Sequence, residues 1–169
     1  YWRDWSSDVC SSDLNELYEV QLSRDLESID KKAFADNKIE YLDFPLFLKN
    51  IEEEAFMNNR LHHIKLPQSI KIIKKRTFYN NFLTYINFNL NLKVIEDEAF
   101  AYNRIRYLTI PDTIKIIGKG SFSNNLLEYI YFSKQIKIIP EEAFRFNNII
   151  DLIIPENIVR IKRSEEHTS

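Results

Sequence analysis

The chain has 169 residues, with 23 Lys+Arg against 25 Asp+Glu and a formal charge of −2. A balance this near neutral gives no electrostatic case for nucleic acid or an anionic membrane, and no apolar run reaches the ~18 residues of a membrane span. The one cysteine, Cys10, supports no disulfide framework.

The first stretch, "DWSSDVCSSDL" at 4–14, resembles nothing that follows, and every cysteine and tryptophan lies within residues 2–10. The last stretch, "RSEEHTS" at 163–169, back-translates to AGATCGGAAGAGCACACGTCT. The reverse complement of that string, read one base in, encodes Asp8 to Leu14 as they stand. One DNA string read in both directions thus accounts for both ends, and it resembles a short-read sequencing adapter. Residues 1–14 and 163–169 are therefore expected to lie outside the fold, Trp2 and Trp5 included. Setting aside Arg3, Arg163, Asp4, Asp8, Asp13, Glu165 and Glu166 leaves 21 Lys+Arg and 20 Asp+Glu in Asn15–Lys162.

Between those ends phenylalanine recurs every 22 residues, at Phe34, Phe56, Phe78, Phe100, Phe122 and Phe144. Three residues after each stands an asparagine: Asn37, Asn59, Asn81, Asn103, Asn125 and Asn147. Ile or Leu fills +5, +8 and +14 from each Phe, and isoleucine fills +17 in all six periods. Self-similarity at this length with an L-x-x-I-x-I core marks a leucine-rich repeat solenoid. The expected organisation is a partial coil over 15–33, then six coils beginning near each Phe, the last truncated.

Within a coil, inward residues at +8 and +10 alternate with outward ones at +7 and +9, which is the period of a strand with one buried face. Proline at +11 (Pro45, Pro67, Pro111, Pro155) helps stop that strand. One parallel sheet face is expected from these strands, with short turns elsewhere and a helical turn in the arc "IxxxAFxxN". The Phe column forms the core. The Asn column reads as a structural ladder that satisfies turn backbone, with Asn→Ala costing about 1–3 kcal/mol; the competing reading is a ligand role.

A 44-residue superperiod lies over the repeat. One column alternates in sign, Lys31, Glu53, Lys75, Asp97, Lys119, Glu141, and reads as a guard of register. A lysine column at +15, Lys49, Lys71, Lys93, Lys115 and Lys137, reads as a solvated face.

The pattern LxxIxIPxxIxxIxxxAFxxN, visible in "LTYINFNLNLKVIEDEAFAYN" and "LEYIYFSKQIKIIPEEAFRFN", resembles the BspA-type leucine-rich repeat of bacterial surface proteins and some protist parasites. The resemblance covers nearly all of 15–162. It implies a right-handed solenoid, often extracellular or on the cell surface, that binds proteins or host surfaces and carries no catalytic residues to transfer. With no secretion signal or anchor in view, surface location rests on analogy.

The outward row at +7 holds Tyr41, His63, Tyr85, Tyr107 and Tyr129, with Tyr131 beside it at +9. Tyrosine joins a large apolar body to a polar tip, which suits protein or glycan contacts; the alternative is a stacked ladder that only supports the strands. His62 and His63 point to opposite faces of a strand and do not share an ion. There is no Gly-rich phosphate loop, metal-ligand cluster or cysteine nucleophile in the repeats. The expectation is a non-enzymatic module without metal or cofactor that binds a protein or glycan. Nucleic acid and membrane insertion are not expected. A passive spacer carrying another domain is the alternative.

Overall fold

The computed structural model describes residues 16–163; the expectations for residues 1–14 and for most of 163–169 fall outside them. Eleven short strands follow in chain order: β1 (Ser28–Ile29), β2 (Asn50–Ile51), β3 (His63–Lys65), β4 (Ile72–Ile73), β5 (Tyr85–Asn87), β6 (Val94–Ile95), β7 (Tyr107–Thr109), β8 (Ile116–Ile117), β9 (Tyr129–Tyr131), β10 (Ile138–Ile139) and β11 (Arg160–Ile161). All the ladders are parallel, and each partner lies 22 residues along the chain, as in His63↔Tyr85, Ile73↔Ile95 and Tyr107↔Tyr129. A sequence period fixed to one residue thus becomes a stack of coils, each a β-solenoid turn.

The strands expected at +7 to +9 are β3, β5, β7 and β9, exposed–buried–exposed in each case. Coils at either end keep only an isolated parallel bridge, Glu19↔Tyr41, or no strand at this position. A second set of ladders, β1–β2, β4–β6–β8 and β10–β11, runs down another side at +16 and +17. Its inward residue is the isoleucine column: Ile51, Ile73, Ile95, Ile117 and Ile139 are all buried.

The arc holds no helix among the described residues, and its hydrogen bonds explain why. Glu98, Phe100 and Tyr102 donate their backbone N–H to Lys119, Ser121 and Ser123 of the next coil at 2.9, 2.9 and 3.0 Å. A helix would need those donors for its own carbonyls. The chain instead makes tight turns, such as Ala99 N–H to Glu96 C=O and Ala101 N–H to Glu98 C=O. Two residues per coil take positive φ to allow this, for example Asn58 (56°) and Glu54 (58°). Asp36, Asn58, Asn80 and Asn124 occupy one of these columns, and Asx residues tolerate the left-handed region best after glycine. Beyond the arc the direction reverses, and Arg104 donates back to Leu83 at 2.9 Å.

The core is a stack of rings. Phe56, Phe78, Phe100 and Phe122 have no solvent exposure, and the outermost rings, Phe34 and Phe144, are half-buried. Successive centroids lie 5.4–6.0 Å apart with planes within 11° of parallel. The superperiod is built into this packing. Phe44, Phe88 and Phe132 meet the column edge-on at 5.6, 6.0 and 5.6 Å, while Leu66 and Ile110 take that place in the coils between.

Gly118 lies where one coil passes close to the one before. A β-carbon there would sit 2.4 Å from Asp97 N and 2.5 Å from Glu96 C. Gly118→Ala is expected to destabilise the array by about 1–3 kcal/mol, the usual cost of overpacking. Urea melts of the two proteins check this.

Candidate ligand-binding face

The first ladder positions the tyrosine row. On each three-residue strand the middle residue is buried, so its two neighbours face outward. Tyr41, Tyr85, Tyr107, Tyr129 and Tyr131 are between 38 and 65 % exposed, and His63 is exposed with them. Tyr129 and Tyr131 share β9 and project from the same side of it.

The row is not one continuous stack. Tyr107 and Tyr129 lie face to face at 5.9 Å with planes 4° apart, and the Tyr107 hydroxyl reaches Glu128 Oε2 at 3.4 Å. This is the only stacked pair in the row among the described residues. Between Tyr85 and Tyr107 the strand ladder itself is interrupted, since β3 pairs with β5 and β7 with β9. At the other end His62 is half-buried beside Tyr41 (6.4 Å) and Phe82 (5.9 Å). Phe82 in turn carries the Arg104 guanidinium 4.0 Å above its ring. The face therefore offers exposed rings with fixed backbones, edged by a cation.

The asparagine column lies elsewhere, inside the wall. Asn59, Asn81, Asn103 and Asn125 are buried. Asn103 donates to the carbonyls of Phe78 (2.9 Å), Phe100 (3.2 Å) and Ala101 (3.2 Å), and accepts from Leu83 N–H at 3.0 Å. Asn125 repeats the arrangement one coil on. Asn37 is also buried and Asn147 half-buried. With their hydrogen-bonding capacity spent on backbone, these side chains have little left for a ligand.

Two neighbouring pairs of the alternating charge column meet directly: Lys31 to Glu53 at 2.8 Å and Lys119 to Glu141 at 3.0 Å. A second column of alternating sign runs beside it through Lys32, Glu54, Arg76 and Glu98. It holds the short Arg76–Glu98 contact of 2.6 Å. The hydrogen bond from Lys31 lowers the Glu53 pKa, and the same bond raises that of Lys31. A lowered carboxylate pKa contributes stability above the ordinary glutamate range, and that stability is lost as pH falls through the folded value. Both side chains stand in water, so screening leaves little. Lys31→Ser with Glu53→Ser is expected to melt with wild type at neutral pH and physiological salt, by circular dichroism.

Among the described residues no group of three or more His, Cys, Asp or Glu is placed to hold a metal ion, and no helix is long and apolar enough to cross a membrane.

Solved structures share the fold. A leucine rich cell surface protein from Faecalibacterium prausnitzii A2-165 is 22 % identical with a TM-score of 0.54, over 80 % of this chain and 47 % of its own. A leucine-rich repeat protein from Bacteroides ovatus is 23 % identical with a TM-score of 0.59, over 80 % and 48 %. The pneumococcal vaccine antigen PcpA is 24 % identical with a TM-score of 0.55, over 68 % and 36 %. The chain thus spans about half the length of these proteins or less. No curated protein matches it. The model of the BspA type leucine rich repeat region matches six copies over residues 8–106 and 71–165, a span that takes in both ladders, the ring stack and the asparagine column, and the chain belongs to that family.

Proposed function

We propose that this is a recognition module that binds a protein or glycan through the tyrosine row, on a protein displayed at a cell surface. The observation that carries the reading is a file of exposed rings on a backbone held by inter-coil bonds. Tyrosines fixed in this way contribute contact area at small entropic cost. Surface display is supported by the relatives described as a cell surface protein and a vaccine antigen. We assign no catalytic role; the family and fold are typically non-enzymatic.

The competing reading is a spacer whose tyrosines only brace the strands, and the Tyr107–Tyr129 stack favours it locally. One double variant separates the two. Wild type is first screened on a glycan array and against a panel of immobilised extracellular proteins. Tyr85→Ser with Tyr107→Ser is then expected to weaken the strongest hit by more than ~2 kcal/mol, because interface energy concentrates in aromatic anchors. Lys31→Ser with Glu53→Ser, away from the row, is expected to leave affinity unchanged. A spacer predicts the reverse for the tyrosines: a lower melting midpoint with unaltered affinity.

A further inference from the structure

The second ladder carries an exposed surface of its own. Its inward isoleucines from Ile29 to Ile139 are buried, but the residue before each faces out. Ile72, Ile116 and Ile138 are 39, 57 and 43 % exposed, and Val94 is half-buried between the first two. Immediately before these stand Lys71, Lys93, Lys115 and Lys137 in the same four coils, all exposed. An aliphatic file and a lysine file thus run side by side along the solenoid.

The lysine file departs from how this chain treats charge elsewhere. Two columns alternate in sign and close ion pairs between coils. At the start of the lysine file Lys49 is paired with Glu27 at 2.7 Å. None of the next four has a carboxylate within 4.0 Å among the described residues, Lys71, Lys93, Lys115 and Lys137 being without an ion pair. Like charges facing each other on neighbouring strands destabilise a sheet, and coils about 4.8 Å apart sit well within a Debye length of about 8 Å. A row kept positive at this spacing calls for a negative partner, even in a chain whose net charge is near zero.

The other flank of the aliphatic file narrows the partner's chemistry. A shallow depression of about 230 Å³ lies there, lined by Val94, Ile116 and Gly118 and rimmed by Glu96, Asp97 and Lys75. A polyanion or an anionic bilayer would meet those carboxylates and would leave the isoleucines wet. A ligand with an apolar stripe and acids down one side only would satisfy both files. The repeat length then selects a helix. An α-helix returns a side chain to one face every ~5.4 Å, against ~4.8 Å per coil, so over three intervals the mismatch is about 2 Å, within the reach of a lysine stem. An extended strand returns only every ~6.7 Å and falls out of step.

We propose that this second face docks an amphipathic α-helix of a partner protein, its apolar stripe over Ile72, Val94, Ile116 and Ile138 and its acidic flank against the lysine file. The site is separate from the tyrosine row, so either proposal can fail alone.

The probe is a fluorescein-labelled synthetic helix of about 18 residues, long enough to form in isolation, with leucines at helical spacing and glutamates along one flank. A counter-probe carries lysines in their place. Fluorescence anisotropy is expected to show the acidic helix binding wild type. Lys93→Glu with Lys115→Glu should weaken it by roughly tenfold or more and admit the lysine helix. Ile116→Ser should weaken the acidic helix, and Tyr85→Ser with Tyr107→Ser should not. All the altered side chains are at the surface, and melting curves verify that each variant folds. Lys93→Arg with Lys115→Arg keeps the charge and should retain binding. The proposal is overturned if the acidic helix does not bind wild type, or if charge reversal leaves its affinity unchanged. It is also overturned if unstructured polyglutamate or phosphatidylglycerol vesicles bind as tightly and without response to Ile116→Ser, which would assign the lysine file to plain anion attraction.

Discussion

Phe100→Ala is expected to destabilise the array by about 3–5 kcal/mol. The ring has no exposure, lies between Phe78 and Phe122 at 5.5 Å on each side, and takes the edge of Phe88 at 6.0 Å. Removing it forfeits the transfer energy of a buried aromatic and leaves a cavity. The walls of that cavity are tied coil to coil by backbone bonds, such as Phe78 N–H to Ala99 C=O and Phe100 N–H to Ser121 C=O at 3.0 and 2.9 Å, so they have little freedom to collapse. Stability in a repeat array is a sum of coil and nearest-neighbour terms, and this substitution weakens two adjacent interfaces at once. The denaturant transition should therefore shift and also broaden, as the halves begin to uncouple. Phe144→Ala should cost much less, because that ring is half-buried and stacks on Phe122 alone at 6.0 Å. Equal midpoints for wild type and Phe100→Ala in guanidinium melts would refute the ring-stack account of the core.

What was legible in the sequence followed from how strongly each feature constrained its column. The first ladder showed because Tyr85-Ile86-Asn87 and its counterparts alternate outward and inward. The second stayed hidden because Ile72-Ile73 and Ile116-Ile117 are too short to alternate, and both residues of each pair are isoleucine. Consequently the lysine file read only as a solvated face, with no sign that isoleucines were exposed beside it. The helical turn expected in the arc failed on a long-range cause: its N–H groups are taken by the next coil, and spacing within one coil carries no trace of that. A local trace did exist in the doubled asparagines. In Asn58-Asn59, Asn80-Asn81 and Asn124-Asn125 the first residue has positive φ and the second is buried and bonded to backbone. Where proline is missing from its column, Asn89 and Ser133 take over. Asn89 Oδ1 accepts from Asn91 N–H at 2.8 Å and Ser133 Oγ from Gln135 N–H at 3.0 Å, so a side chain supplies the turn that a fixed φ supplies elsewhere. The tyrosine row was legible as an outward face, but its interruption after Tyr85 was not, since every column there keeps its period.

Asn103→Ala is expected to cost about 2–6 kcal/mol, because it orphans two buried groups at about 1–3 kcal/mol each. Leu83 N–H loses its acceptor and Phe78 C=O loses its donor from the facing coil. Both belong to residues with no exposure, so water does not readily replace the amide. Asn103→Asp tests the same geometry with a charge. The new oxygen would stand where the amide nitrogen now faces three carbonyls at 2.9–3.2 Å. Burial and those dipoles disfavour the carboxylate and raise its folded pKa above the unfolded value of about 3.9. With more protons bound in the folded state, stability relative to wild type falls as pH rises from the unfolded value through the folded one. The aspartate variant should therefore be less stable than the alanine variant at pH about 7, and the gap should narrow towards pH about 4.5, where a protonated carboxyl restores one donor. Thermal melts of the three proteins at both values, each variant referenced to wild type at the same pH, measure this. A ligand-binding asparagine predicts no loss of stability in the alanine variant. An aspartate variant whose deficit is the same at both pH values would mean that the side chain does not face those carbonyls.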